Sequence, residues 1–283
     1  MTDEHIIEAI GRSRIVVRNG KVVEVGEAVI TDCPLAKRFA CPVEDFTPEA
    51  IQKNIENRIS SFGMCTPDRI LTSDDDFVGF GASELTRTGL ASDIIDAAVL
   101  ACDGAGTVVV TDPAMAQGIG GRMSGLVSTS PIPSVIDRIV AGGGIVPDPT
   151  HASMDPVAGV RAAQKAGYSR LLVTVAGADA AEAVKAADPQ ALIMAVHVTG
   201  MSHDDAVRIA AVADIATSCA SAHIREVCGA KALMQAGTAV PIFILTPRGK
   251  TLLLARLAVI PNQILVNHTR LPVAGPKVPD PLV

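Results

Sequence analysis

Cysteines stand at positions 33, 41, 65, 102, 219 and 228, and thiol chemistry is the first possibility they raise. Cys102 opens the string Cys102-Asp103-Gly104-Ala105-Gly106, and Cys219 sits in Ser218-Cys219-Ala220-Ser221. Each follows a short apolar run that reads as a strand, so each thiol is delivered at a strand end. Cys33 and Cys65 lie in turns beside Pro34 and Thr66. Cys41, between Ala40 and Pro42, is open between packing and chemistry. Cys228 falls in a helical pattern with apolar neighbours and reads as core, the common fate of a cysteine in an apolar chain. No Cys-x-x-Cys pair occurs, which removes support for a zinc ribbon or a ferredoxin-type cluster. Three dispersed cysteines can still hold a cluster. His197 also closes a strand-like run, where a satisfied core histidine competes with a proton carrier. The acidic triplet Asp74-Asp75-Asp76 reads as an exposed turn before a divalent-ion site.

Residues 117–125 are the richest in glycine: Gln117-Gly118-Ile119-Gly120-Gly121-Arg122-Met123-Ser124-Gly125. Neither the dinucleotide fingerprint nor the P-loop pattern is matched. Amides of Gly118, Gly120 and Gly121 with Arg122 and Ser124 could form a nest for a small anion. The competing explanation is a glycine-rich connection made for tight packing.

These groups need a frame. Arg14–Arg18 and Lys21–Val25 flank Asn19-Gly20, the strongest short-range hairpin signal. Residues 5–10 suggest a helical turn or two, and 28–31 a third strand. Thr47-Pro48-Glu49 starts a helix with cap, first-turn proline and acidic residue in order. Ile51, Ile55 and Ile59 give it one apolar stripe. Helical character is expected at 93–98, strands at 99–102 and 107–111, and a helix at 134–140. From Asp155 onward helix-like and strand-like segments alternate: helices at 156–166, 178–187, 202–212, 221–236 and 249–257, strands at 171–175, 192–198, 214–218, 240–245 and 263–267. That alternation predicts an α/β fold with a mostly parallel sheet and helices on both faces. About five clean units are too few for a closed eight-stranded barrel. The expected organisation is an N-terminal hairpin and helix element over 1–70, an α/β domain over 71–270, and an extended proline-rich tail over 271–283. Ligands of such sheets bind beyond the C-terminal strand ends. Cys102, His197 and Cys219 are therefore expected to converge there.

Composition bounds the rest. In 283 residues, 48% are hydrophobic but only 2% aromatic, so Ala, Val, Ile and Leu must build the core. The net charge is −6 and no basic run occurs, so nucleic acid is not an expected partner. The opening Met-Thr-Asp-Glu-His does not read as a signal peptide. No apolar run reaches the ~18 residues of a membrane span. A cytoplasmic location with reduced thiols is the expectation.

Several strings together resemble the methanogenesis marker 8 family. They are Asp32-Cys33-Pro34-Leu35, Phe77-Val78-Gly79-Phe80-Gly81-Ala82-Ser83-Glu84, Cys102-Asp103-Gly104-Ala105-Gly106-Thr107-Val108, Gln117-Gly118-Ile119-Gly120-Gly121-Arg122, Ser130-Pro131-Ile132-Pro133, His197-Val198-Thr199-Gly200 and Cys219-Ala220-Ser221 with Ile224-Arg225-Glu226. The likeness runs from about residue 5 to 260. An Ala-rich, Lys-poor composition suggests a high-GC, bacterial source, which would turn attention from methane formation to a shared cofactor. The resemblance implies a role in making coenzyme M, 2-mercaptoethanesulfonate, by reductive thiolation of sulfoacetaldehyde. It would need a sulfur donor and an external reductant. Cys102, Cys219, Cys33 and Cys65 are the implied sulfur-handling residues, with thiol pKa values depressed. Arg122 with the glycine amides, or Arg225 near Cys219, would hold the sulfonate. His197 would protonate the departing oxygen. Two other readings stay open. In one, Cys33, Cys102 and Cys219 hold an iron–sulfur cluster. In the other, the chain is a non-catalytic assembly factor. A homo-oligomer is expected.

Overall fold

The computed structural model describes residues 3–39, 41–122 and 125–283. The chain begins with β1 (Glu4–Glu8), β2 (Arg14–Arg18) and β3 (Lys21–Val25). The predicted hairpin forms, with Asn19 at φ 49° and Gly20 at φ 70° in its turn. The helical expectation for 5–10 is not met. β1 pairs with β2 along its length, and His5 and Ile7 alternate inward as a strand requires. No strand forms at 28–31; the amides of Val29 and Ile30 instead donate to the Gly11 carbonyl.

α1 (Pro48–Phe62) starts where predicted: the Thr47 hydroxyl accepts from the Ala50 amide at 3.2 Å, and Gly63 ends the helix at φ 66°. Its Ile51 and Ile55 pack on Ile7, Ile15 and Val17, covering one face of the small sheet. α2 (Ala82–Ala91) has no counterpart in the sequence reading, and the helix expected at 93–98 is instead a turn entering β4 (Ala97–Cys102). β5 (Gly106–Val110), α3 (Pro113–Gly120), β6 (Gly125–Thr129) and α4 (Pro133–Ala141) follow. The alternating half contains α5 (Pro156–Lys165), β7 (Leu171–Val175), α6 (Ala178–Ala187), β8 (Leu192–Ala195), α7 (His203–Val212) and β9 (Ile215–Thr217). It closes with α8 (Ala222–Lys231), β10 (Met234–Ala236), β11 (Ile242–Ile244) and α9 (Pro247–Val259).

The result is a mixed α/β architecture with two sheets. The larger runs β10-β11-β9-β8-β7-β4-β5. Its centre, β4-β7-β8-β9, is parallel, while β5, β11 and β10 are antiparallel. The mostly parallel expectation therefore holds only for the centre. Hairpin returns too short for a crossover helix account for β5 and for the β10–β11 pair. Helices cover both faces. Leu85, Ile119, Ile139 and Leu252 of α2, α3, α4 and α9 pack on Ala98, Leu100 and Cys102. Val160, Ala181, Ile209 and Ile224 of α5 to α8 pack on Ala97 and Val99. The alternation along β4 decides which side each residue serves.

The smaller sheet runs β3-β2-β1-β6, so residues 125–129 complete the N-terminal element and the expected boundary near residue 70 is crossed. The strand expected at 263–267 does not form, and Leu265 is 90% exposed. The tail does form a strap. Asp280 exchanges backbone hydrogen bonds with Asp32 and accepts from Thr31, and Val283 bonds to Ala220 and Ala222. No helix among the described residues is long and apolar enough to cross a membrane.

Candidate functional site

A cavity of about 650 Å³ opens at the C-terminal ends of the parallel strands. β7 delivers Val175 and Ala176 to it, β8 delivers Val196 and His197, and β9 delivers Thr217 and Cys219. The opposite wall comes from the loop before α1, from residues 77–84, and from the end of α3 with Arg122. The rule that places ligands at these strand ends thus locates the site.

Cys219 is half-buried, with its Sγ 3.5 Å from the Thr217 hydroxyl. Its backbone is left-handed at φ 44°, and His197 likewise sits at φ 55°. Such conformations are unfavourable for side chains with a Cβ and persist where surrounding structure fixes them, often at functional sites. The fixing groups are visible. Ala220 donates to the Thr199 hydroxyl at 3.3 Å, and Ser221 caps α8 by accepting from Ile224 at 3.2 Å. Arg225, one turn into α8, donates to the carbonyls of Cys219 and Ala239, both at 2.9 Å. Its second guanidinium edge, Nε, is buried with no partner among the described residues.

Cys33 feels the Cys219 thiol electrostatically, a minor contribution to a pKa raised mainly by burial. The strap explains how. Residues 280–283 bond to 31–32 at one end and to 220 and 222 at the other, which draws the two cysteine-bearing loops together. Burial pushes the Cys33 thiol up, more than contacts with the Leu35 and Ala36 backbone bring it down.

Cys65 and Cys102 are elsewhere. Both are fully buried, and neither lines the cavity. Cys102 points with Ala98 and Leu100 into the core beneath α2, α3 and α4, because residues two apart on a strand share a face. Its Sγ contacts the Asp103 carbonyl at 3.4 Å. Desolvation followed by the negative charge of Asp103 drives the thiols of Cys65 and Cys102 well up. The role expected for these two cysteines is therefore corrected: they are protonated packing groups. The depressed pKa expected for reactive thiols is not found at Cys33, Cys65 or Cys102, since burial dominates at each. The cluster reading loses its ligand set, because Cys102 stands apart from the Cys33–Cys219 pair. Among the described residues no group of three metal-ligating side chains comes together. All six cysteines are free, and Cys228 is core, as read.

Asp103 has a structural task instead. Its carboxylate accepts from Arg69 Nε at 2.9 Å and from the Cys65 amide at 2.5 Å, with Arg69 and Asp103 both fully buried. Arg69 also donates to the carbonyls of Gly118 and Ile119 at 3.3 and 3.2 Å, satisfying part of the C-terminal end of α3.

The amide nest expected at 118–121 is not formed. Gly118 and Gly120 lie inside α3, and the Gly121 amide donates back to Gln117 at 2.8 Å. A Cβ on Gly118 would stand 2.4 Å from the Leu71 carbonyl oxygen, so glycine is needed for packing. Gly120 and Gly121 do border the cavity, but at the carbonyl end of the helix, which repels anions. Ser124 lies outside the described residues.

Arg122 stands at the cavity. It lines the cavity, its Cζ lies 4.6 Å from the Phe62 ring centre and 5.6 Å from that of Phe77, and Nη2 reaches Ser73 at 3.4 Å. Nε and Nη1 are buried with no partner among the described residues, an orphaned donor pair. The His197 ring also lines the cavity. Water reaches it there, yet the protein crowding around it removes hydration and pushes its pKa down to about 4.

Three further features shape the site. Cys41 lines the cavity, with Arg58 near enough to feel its charge. Arg58 stacks on Phe39 at 5.1 Å. Glu84, buried, accepts from the Phe77 amide, the Gln117 side chain and the Ser83 hydroxyl, each at 2.9 Å, and holds the 77–84 wall in shape. Asp76 is a counter-ion for Arg87 and Arg256, at 3.2 and 2.7 Å, which accounts for one member of the acidic triplet.

Fold and cavity define an α/β protein with a thiol, an imidazole and a guanidinium lining one cavity at the parallel strand ends. The chain belongs to the family described as an uncharacterized protein conserved in archaea, DUF2099, whose model matches residues 5–258. It is 37% identical to an uncharacterized protein of Methanocaldococcus jannaschii over 284 aligned residues, covering 99% of this chain and 100% of the relative.

Proposed function

We propose that this protein forms coenzyme M by reductive thiolation of sulfoacetaldehyde, as the resemblance to methanogenesis marker 8 sequences implies. The observation that carries the reading is a cavity lined by Cys219, His197 and Arg122, with the Cys33 loop tied to the Cys219 loop by the C-terminal strap. Arg122 takes the sulfonate as a charge-assisted pair. An external donor loads Cys219 with a sulfane sulfur. The terminal sulfur of that persulfide attacks the aldehyde carbon, making a C–S bond while the carbonyl oxygen takes a proton.

Neutral His197 accepts the persulfide proton and passes it to the carbonyl oxygen; a second proton, from solvent through the same ring, lets the hydroxyl leave as water. An external two-electron donor supplies hydride to the carbon. Cys33 then attacks the Cys219 sulfur, breaking the S–S bond while its proton passes to the departing sulfur, and coenzyme M leaves as the thiol. The Cys33–Cys219 disulfide that remains is reset by an external dithiol. One sulfane sulfur and four electrons, two as hydride and two from the thiols, convert the aldehyde to thiol and water.

The test is anaerobic incubation with sulfoacetaldehyde, a persulfide donor and reductant, followed by mass detection of 2-mercaptoethanesulfonate. Thiol formation that survives Cys219→Ser would overturn the reading.

A further inference from the structure

The cavity is far larger than a two-carbon sulfonate aldehyde. At about 650 Å³ it falls among clefts of roughly 300–1,000 Å³ that enclose ligands of drug size. Its walls are also unlike the rest of the molecule. The chain has six phenylalanines, one tyrosine and no tryptophan. Four of those six phenylalanines, Phe39, Phe62, Phe77 and Phe80, border this one cavity. Phe46 and Phe243 pack in the hydrophobic cores. Aliphatic residues fill most of the core, so the concentration of four phenylalanines at one cavity points to binding.

The rings come with guanidinium groups. Arg122 lies over Phe62 and Phe77, and Arg58 over Phe39. Stacking uses the flat face of a guanidinium and leaves its edge donors for an anion. At Arg122 those edge donors, Nε and Nη1, are the orphaned pair. The strand ends supply an apolar floor through Val99, Val175 and Val196.

We propose that the cavity binds a second ligand besides the aldehyde, a flat ring-bearing anion whose acidic group sits on the Arg122 edge and whose ring lies along the phenylalanine wall. This rests on the reading of the same cavity given above and names a further ligand class for it. The aldehyde and the ring ligand share the Arg122 anchor, so they bind in turn or through the two ends of its fork.

Titration calorimetry with three probes decides the matter: 1-naphthalenesulfonate (ring and anion), ethanesulfonate (anion alone) and 1-naphthylmethanol (ring alone). The ring anion should bind about tenfold or more tighter than either single-feature probe, since ring burial and ion pairing each contribute on that scale. Arg122→Gln should remove about tenfold of that affinity, and Phe77→Leu, a change at an exposed wall position, several-fold. Equal affinity for 1-naphthalenesulfonate and ethanesulfonate, or a 1-naphthalenesulfonate affinity indifferent to both variants, would overturn the proposal. The readout is independent of turnover. Ring-anion binding without thiol formation refutes the thiolation reading alone, while thiol formation without ring-anion selectivity refutes this inference alone.

Discussion

At the scale of single residues, the six thiols divide by environment. Cys219 borders an open cavity, whereas Cys65 and Cys102 are sealed in apolar surroundings that hold them protonated. Iodoacetamide at neutral pH should label Cys219 in the native protein and leave Cys65 and Cys102 unmodified until denaturant is added, as read by peptide mass mapping. Cys33→Ser should trap the substrate-bearing disulfide on Cys219, seen as an intact-mass adduct that dithiothreitol removes. Cys102→Ala should cost on the order of 1 kcal/mol of stability through lost packing while thiol formation continues. His197 carries a pH signature. Its pKa falls from an ordinary 6.5 to about 4, so below pH 6.5 the unfolded chain binds a proton that the folded chain refuses. Stability should therefore drop as pH falls from 6.5 towards 4, by an amount reduced by the water that reaches the ring. His197→Gln should flatten that slope in urea melts.

At the scale of elements, what could be read from sequence followed what is local. The Asn19-Gly20 hairpin and the Thr47-Pro48 helix start carry their chemistry within a few residues, and both form as read. Most alternating segments after Asp155 were legible for the same reason, but the helix expected at 221–236 stops at Lys231 and Met234–Ala236 pairs with β11 as the strand β10. Failures occur where partners decide. His5–Glu8 is short and equally compatible with helix or strand, and pairing with β2 and β6 makes it β1. Residues 263–267 have strand composition but no neighbouring strand to bond. The glycines at 118–121 looked like an anion nest because sequence cannot show that Leu71 presses on Gly118. Gly118→Ala should consequently destabilise the fold by about 1–3 kcal/mol, an overpacking cost readable by chemical denaturation. Asp103→Asn, which leaves Arg69 buried beside a neutral partner, should cost about 3–5 kcal/mol in the same assay.

At the scale of the whole molecule, sequence placed the edge of the sheet where chemistry gathers but not which thiols reach it. Cys102 stands at the right strand end yet faces the wrong side, a matter of strand parity that one residue of register decides. Cys33, far from Cys219 in the chain, arrives through a contact no periodicity encodes. Cys41 and Arg58 reach the cavity from a loop and a helix that carry no motif. The tail is what closes the arrangement, bonding at one end to Thr31 and Asp32 and at the other to Ala220 and Ala222.

Those hydrogen bonds work as a clasp between two loops that share no covalent link. The amides of Thr31, Asp32, Ala222, Asp280 and Val283 should then exchange with deuterium together, through one opening event, and not at five separate rates. Each opening would also free the loop that carries Cys33 from the loop that carries Cys219.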